Sequence, residues 1–209
     1  MHQLKLNSIR TNCYLLQSNK DVILIDPSDK ADEIINYIER NGLNLRFMLA
    51  THGHFDHISA ANNIIKAGLV KTLHIHEQDF FEVKMARTRM MMILKEKMSQ
   101  PNVSMFTIEL LNLLNSWGIT LKHVGGHSKG SCVLYHQSFA FIFAGDMILN
   151  HQLKINILDK NENYIKLKDF KTWSNIFSSD TLIFPGHGDI TDFRTERVNN
   201  TKWKLIDDL

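Results

Sequence analysis

Thr51-His52-Gly53-His54-Phe55-Asp56-His57 packs three imidazoles and one carboxylate into a single short stretch. Core packing asks for no such cluster. Histidine is the commonest metal ligand among side chains, and imidazole nitrogens mixed with carboxylate oxygens suit zinc and other borderline divalent metals. The spacing adds geometry. In an extended or loop backbone alternate side chains share a side, so His52, His54 and Asp56 are expected to face one way and His57 the other. His52 and His54 can then hold one ion while Asp56 and His57 reach a second. Taken alone, the stretch also reads as a solvated histidine-rich loop.

The elements that must position this stretch are legible on either side of it. Residues 45–50 are a hydrophobic run and read as a buried strand, and the segment from Ile58 reads as a helix. The motif then occupies a loop at the C-terminal edge of a strand, where α/β sheets place ligands. One loop cannot close two metal sites, so further donors are needed, and three occur in matching contexts. His127 follows the apolar run 119–124, Asp146 follows 139–143, and His187 follows 181–184. A glycine precedes each one (Gly126, Gly145, Gly186) and lets the backbone turn sharply beside an ion.

These motifs together resemble the metallo-β-lactamase-fold hydrolases, and most closely their glyoxalase II-like (hydroxyacylglutathione hydrolase-like) branch. The matching elements are Thr-His-x-His-x-Asp-His at 51–57, Gly-His-Ser-x-Gly-Ser at 126–131, Gly-Asp at 145–146 and Pro-Gly-His-Gly at 185–188. Asn12-Cys13-Tyr14 and Leu24-Ile25-Asp26-Pro27 look like the family's opening strands. The resemblance implies an α/β fold, a four-layer αββα sandwich. It implies one metal site from His52, His54 and His127, a second from Asp56, His57 and His187, and Asp146 as the bridge. It also implies that Asp26 braces the histidine loop from behind the ligands, where a carboxylate fixes ring orientation and raises basicity.

The 209 residues are expected to form one domain, residues 1–209, with a helical insertion at about 78–117. A formal net charge of +2 makes no broad electrostatic case for nucleic acid. No run approaches membrane-spanning length, no secretory signal is visible, and Cys13 and Cys132 lie in strand-like runs as expected of buried thiols. These features suit a cytoplasmic protein acting on a small molecule, with no membrane partner, and nothing in them fixes an oligomeric state. Short strands are expected at 3–6, 12–18 and 21–26. A helix capped by Ser28 or Asp29 follows, with Ala31, Ile34, Ile35 and Ile38 at helical spacing, and Asn41-Gly42 stops it. The strand 72–76 carries His74 and His76 on one side, and both read as ordinary polar neighbours.

Two helices are expected at 78–98 and 104–116. The first is rich in methionine, which reads as a core stripe beside a solvated basic face, with a substrate lid as the functional alternative. Strands 119–124, 131–136 and 139–144 form a second half-sheet. The run 154–158 reads as a strand, 159–163 as a polar turn, and 167–178 as a helix with Phe170, Trp173, Ile176 and Phe177 on one face. His123 and His151 read as structural, and Lys154 is a candidate anion contact.

The chemistry expected of such a site is attack by a metal-bound hydroxide, because a divalent ion lowers the pKa of bound water from 15.7 to about 7 in favourable zinc sites. Two divalent ions are implied, zinc first, with iron or manganese also compatible. Asp56 would act as ligand and orient the hydroxide. The resemblance points to hydrolysis of a thioester. Full-length glyoxalase II enzymes carry a further C-terminal helical region that helps bind glutathione, whereas only a short tail follows His187, so a smaller or different thioester is also compatible. The segment 147–151 also lacks the glycine-rich, arginine-containing stretch many relatives carry after the bridging aspartate. An iron-dependent persulfide dioxygenase is the alternative reading, and phosphodiester or lactam hydrolysis on the same fold is a third.

Overall fold

The computed structural model describes residues 2–5, 10–136, 138–154 and 169–203. They divide into two compact units, Met1–Leu110 and Leu111–Leu209.

The first unit is built on a six-stranded sheet. Its strands are β1 (His2–Lys5), β2 (Asn12–Ser18), β3 (Asp21–Ile25), β4 (Asn44–Leu49), β5 (Leu73–His74) and β6 (Val103–Ser104), in sequential order. The first three are antiparallel, and β3 to β6 run parallel. β3 is a near-continuous apolar run, Val22-Ile23-Leu24-Ile25, fully buried as a strand covered on both faces must be. The helices are α1 (Ala31–Arg40), α2 (Phe55–Ile58), α3 (Ala61–Lys66), α4 (Phe80–Leu94) and α5 (Ile108–Ser116), the last spanning the boundary between the units.

α1 follows its expected periodicity: Ala31, Ile34 and Ile38 are buried. Each fully buried isoleucine contributes roughly 2 kcal/mol relative to exposure. Its N-terminus differs from the expectation. The N-cap is Lys30 in the left-handed region, with no side-chain cap. Asp29 instead accepts the Lys30 N–H at 2.7 Å, and Ser28 is buried beneath the chain.

α4 settles on one methionine face. Val83, Ala86 and Met90 are buried, while Met92 stands 68% and Phe81 63% exposed. The core reading therefore holds for part of the stripe only. Lys84 and Arg87 are exposed as expected of the basic face, but the helix ends at Leu94, short of the expected 98, so Lys95 and Lys97 lie beyond it. β6, paired with β5, was not foreseen: it takes up the start of the helix expected at 104–116, which begins at Ile108 instead.

The second unit holds a five-stranded sheet in the order β13-β12-β9-β8-β7. These strands are β7 (Ile119–His123), β8 (Cys132–His136), β9 (Phe141–Gly145), β12 (Leu182–Pro185) and β13 (Thr191–Asp192), and β10 (Ile148–Leu149) pairs separately with β11 (Gln152–Leu153). β9 begins two residues later than expected, because Phe139 sits 75% exposed in the preceding turn. Helix α6 is described over 169–174, and α7 spans Phe193–Asn199. Phe170, Trp173 and Phe177 pack with Phe193 and Trp203 in an aromatic core, but Ile176 is 50% exposed and leaves the expected face. The helix ends before 176, so the helical register that would have buried Ile176 is lost. The strand and turn expected at 154–163 lie outside the described residues from 155 onward, as do 167 and 168 of the expected helix.

Cys13 and Cys132 are free and buried. At Cys13 burial, and then the nearby Asp26 carboxylate, push the thiol pKa up against a backbone hydrogen bond from Ser28. That thiol is a packing group and no nucleophile. Among the described residues no helix is long and apolar enough to cross a membrane.

Candidate metal centre

In the first unit the sheet topology delivers every important group to one edge. β3 and β4 are parallel, so Asp26 and the 51–57 loop leave the sheet at the same end. β2 is antiparallel to β3, which brings its beginning, and Thr11 just before it, to that end too. β5 runs parallel to β4, and the chain beyond it reaches Asp79 there.

Asp26 is 1% exposed. Its Oδ1 accepts the Thr51 N–H at 2.6 Å, and its Oδ2 accepts the Thr51 hydroxyl at 2.9 Å. The same Oδ2 lies 3.0 Å from Nδ1 of His57. The Thr51 hydroxyl also meets His52 Nδ1 at 3.1 Å, which turns His52 Nε2 towards His54 Nδ1, 3.1 Å away. Two imidazole nitrogens bound about 2.0–2.1 Å from one tetrahedral zinc stand roughly 3.3 Å apart, so this pair is already spaced for a shared ion.

Asp56 accepts the Thr11 hydroxyl at 3.1 Å through Oδ2, which lies 3.7 Å from His57 Nε2. His52 and His57 likewise offer ligand atoms within 4.8 Å of each other. One geometric expectation fails here. The backbone becomes helical at Phe55, and the turn of α2 carries His57 back beneath the loop, its ring centroid 4.1 Å from that of His52. His57 therefore does not point away from His52.

The loop is held from its other side by the start of α4. Gly53 donates its N–H to Asp79 Oδ2 at 2.8 Å, and Glu82 Oε2 lies 3.7 Å from His54 Nε2. A Cβ on Gly53 would stand 2.8 Å from Glu82 Cβ and 2.9 Å from the Asp79 carbonyl. Gly53 is thus required by close approach. Gly53→Ala is expected to destabilise the chain by about 2 kcal/mol, in the range of overpacking changes, and to weaken metal uptake, as checked by thermal unfolding and metal titration.

The second unit gathers its three donors in the same way. β7 and β8 are antiparallel, β8 and β9 are antiparallel, and β9 and β12 are parallel. The ends of β7, β9 and β12 therefore share a sheet edge, and His127, Asp146 and His187 follow those ends. His127 Nδ1 donates to the Lys154 carbonyl at 3.0 Å, which leaves Nε2 with its lone pair 3.7 Å from Asp146 Oδ2. His187 Nε2 lies 3.5 Å from the same oxygen. Both separations exceed hydrogen-bond length, and they suit donors gathered around a common cation. Gly126 and Gly145 adopt φ of 99° and 51°, the left-handed turns expected of them, whereas Gly186 keeps an ordinary φ and donates to the Gly145 carbonyl at 2.7 Å. Ser128 and Ser131 bond each other at 2.8 Å and shape the turn that carries His127.

His74, His76, His123 and His151 make local contacts. His74 bonds the Met105 carbonyl at 2.9 Å, His76 caps a short turn, and His123 meets the Lys129 carbonyl at 2.8 Å. His151 donates its backbone N–H to Glu196 at 3.0 Å. Lys154 differs from expectation: its side chain is exposed, and its carbonyl is the working group. Sequence reasoning missed Thr11, Asp79 and Glu82, each ordinary in type and distant in sequence from the loop it serves. Only the strand directions could have pointed to them.

A family model described as the Metallo-beta-lactamase superfamily matches residues 8–190. A protein of Haemophilus influenzae described as hydroxyacylglutathione hydrolase GloC is 24% identical over 204 residues, covering 93% of each chain. Among solved structures, TTHA1623 in a di-iron-bound form superposes with a TM-score of 0.81 at 23% identity, over 97% of this chain and all (100%) of that one. BLEG-1, a B3 metallo-beta-lactamase, superposes with a TM-score of 0.79 at 23% identity, over 97% of this chain and 98% of that one.

Proposed function

Since the chain belongs to the metallo-beta-lactamase superfamily, we propose that it is a binuclear metal-dependent hydrolase acting on a thioester. On this reading the two units work as a single catalytic domain. His52, His54 and His127 hold one ion, Asp56, His57 and His187 hold the other, and Asp146 serves both. The observation that carries the reading is the bracing of the donors. His52 and His127 each have the second ring nitrogen hydrogen-bonded, by Thr51 and the Lys154 carbonyl, and Asp26 Oδ2 stands 3.0 Å behind His57 Nδ1. Such bracing fixes the tautomer and aims the other nitrogen, as metal ligation demands.

Zinc, or iron or manganese in its place, supplies Lewis acidity and activates water at neutral pH. The chain's own contribution is orientation. Thr11 and the helical turn of α2 fix Asp56, whose carboxylate would ligate and align the attacking water. A serine mechanism is not favoured, because Ser128 and Ser131 are spent on each other. Thioester hydrolysis is favoured by the relative described as a hydroxyacylglutathione hydrolase. Two free, buried thiols suit a reducing cytoplasm.

The test is hydrolysis of S-lactoylglutathione by the full chain reconstituted with zinc. Turnover that disappears in His54→Ala is the expected result. A chain that holds two zinc ions and leaves this and other thioesters intact would sink the thioester assignment. Histidine and carboxylate donors suit iron as well as zinc, which favours a second reading, an iron-dependent persulfide dioxygenase. Oxygen uptake with a persulfide by the iron-loaded chain, absent thioester turnover, would establish it instead.

A further inference from the structure

We infer that Glu82 is a positioning residue for His54 and tunes one of the two metal sites selectively. The inference deepens the functional reading above and rests on it. His54 presents Nδ1 to His52 Nε2 at 3.1 Å, so Nδ1 is its ligating nitrogen and Nε2 the outward one. Glu82 Oε2 is 3.7 Å from that outward nitrogen. A carboxylate on that side favours the proton on Nε2, keeps the Nδ1 lone pair free and strengthens the ring as a donor. Arg89, two helical turns further along α4, pairs with the same Glu82 oxygen and anchors it on the helix face turned to the loop.

The backbone holds this arrangement as well. Gly53, between the two histidines, lies so close to α4 that an added Cβ would meet Glu82 Cβ at 2.8 Å. Asp79, three residues earlier, grips the Gly53 N–H at 2.8 Å. The first turn of α4 thus does for His54 what Asp26 does for His57. The separation is that of an ion pair, longer than a hydrogen bond, and both side chains are about a quarter exposed (27% and 23%). The effect therefore belongs at the low end of those seen for carboxylates behind ligand histidines.

The experiment is titration of zinc into the full chain against a chromophoric chelator, for the parent protein, Glu82→Ala and Glu82→Gln. Glu82→Ala is expected to weaken one zinc constant about tenfold and leave the other within about twofold. Glu82→Gln is expected to recover part of the loss, since its carbonyl oxygen still presents partial negative charge to Nε2–H. The cobalt-substituted chain should show altered absorption bands for one site only. If both constants are unchanged, or both fall together with the unfolding midpoint of the metal-free chain, Glu82 is merely Arg89's partner and the inference is overturned. Should Glu82→Ala not fold, the glutamine variant decides on the same criterion. A parent chain that binds no zinc would remove the functional reading and this inference together. Two zinc ions bound equally well with and without Glu82 would remove this inference alone.

Discussion

Asp26→Ala is expected to destabilise the chain by about 3 kcal/mol and to weaken metal binding by roughly 10- to 100-fold. The carboxylate is buried and meets three groups: the Thr51 N–H, the Thr51 hydroxyl and His57 Nδ1. Truncation leaves a backbone donor and an imidazole in a closed interior. Each stranded buried polar group costs about 1–3 kcal/mol. Asp26 also holds φ of 53°, a conformation that alanine adopts with strain and that asparagine tolerates. Asp26→Asn is therefore the informative companion. It keeps the backbone and one acceptor for the Thr51 N–H, but turns an amide towards the hydroxyl and the ring. It should lose less stability than alanine while still loosening His57. At about 2–4 °C per kcal/mol for a chain of this size, the alanine variant should unfold roughly 10 °C lower. Thermal unfolding of the metal-free chain and chelator competition read the two effects separately. An alanine variant with unchanged unfolding and unchanged metal affinity would refute the bracing role.

The contrast between Asp26 and Glu82 shows what the sequence could carry. Asp26 ends an apolar strand just before a proline, a local pattern that the family resemblance marks. The seven ligand candidates were legible for the same reason: each follows an apolar run, and the second-unit three also follow a glycine. In the second unit, three metal-capable loops at strand ends imply a common sheet edge without any tertiary knowledge. Glu82, Asp79 and Thr11 have no such signature, because their roles arise from strand direction and from how closely α4 approaches Gly53. The same limit explains the misplaced His57. Alternation predicts side-chain direction only while the chain stays extended, and α2 begins within the motif at Phe55. It also explains Ile176 and Met92, which satisfy helical spacing but lie on a terminated helix and on a helix face with no neighbour to bury them. Periodicity finds candidates for the core, and the partner surface decides which are used.

Asp146→Ala is expected to lower hydrolysis by about a thousandfold or more and to reduce bound metal to at most one ion per chain. The carboxylate stands at the end of β9, aimed by the left-handed turn at Gly145, with one oxygen 3.7 Å from His127 Nε2 and 3.5 Å from His187 Nε2. Those two imidazoles belong to different ions on the proposed reading, so Asp146 is the single donor whose loss affects both. On that reading it would also be the anion that keeps two cations close together against their repulsion. Several kcal/mol of charge stabilisation at the reacting centre corresponds, at 1.36 kcal/mol per tenfold, to about three orders of magnitude in rate. Lys66→Ala is the control: an exposed lysine in the last turn of α3 should leave rate and metal content unchanged. Metal analysis per chain with steady-state rates separates the possibilities. Two ions retained with normal turnover would mean that Asp146 is no bridge. Two ions retained with the rate lost would move it from holding metal to handling the substrate or water. One ion with residual turnover would place the essential chemistry at the metal that remains.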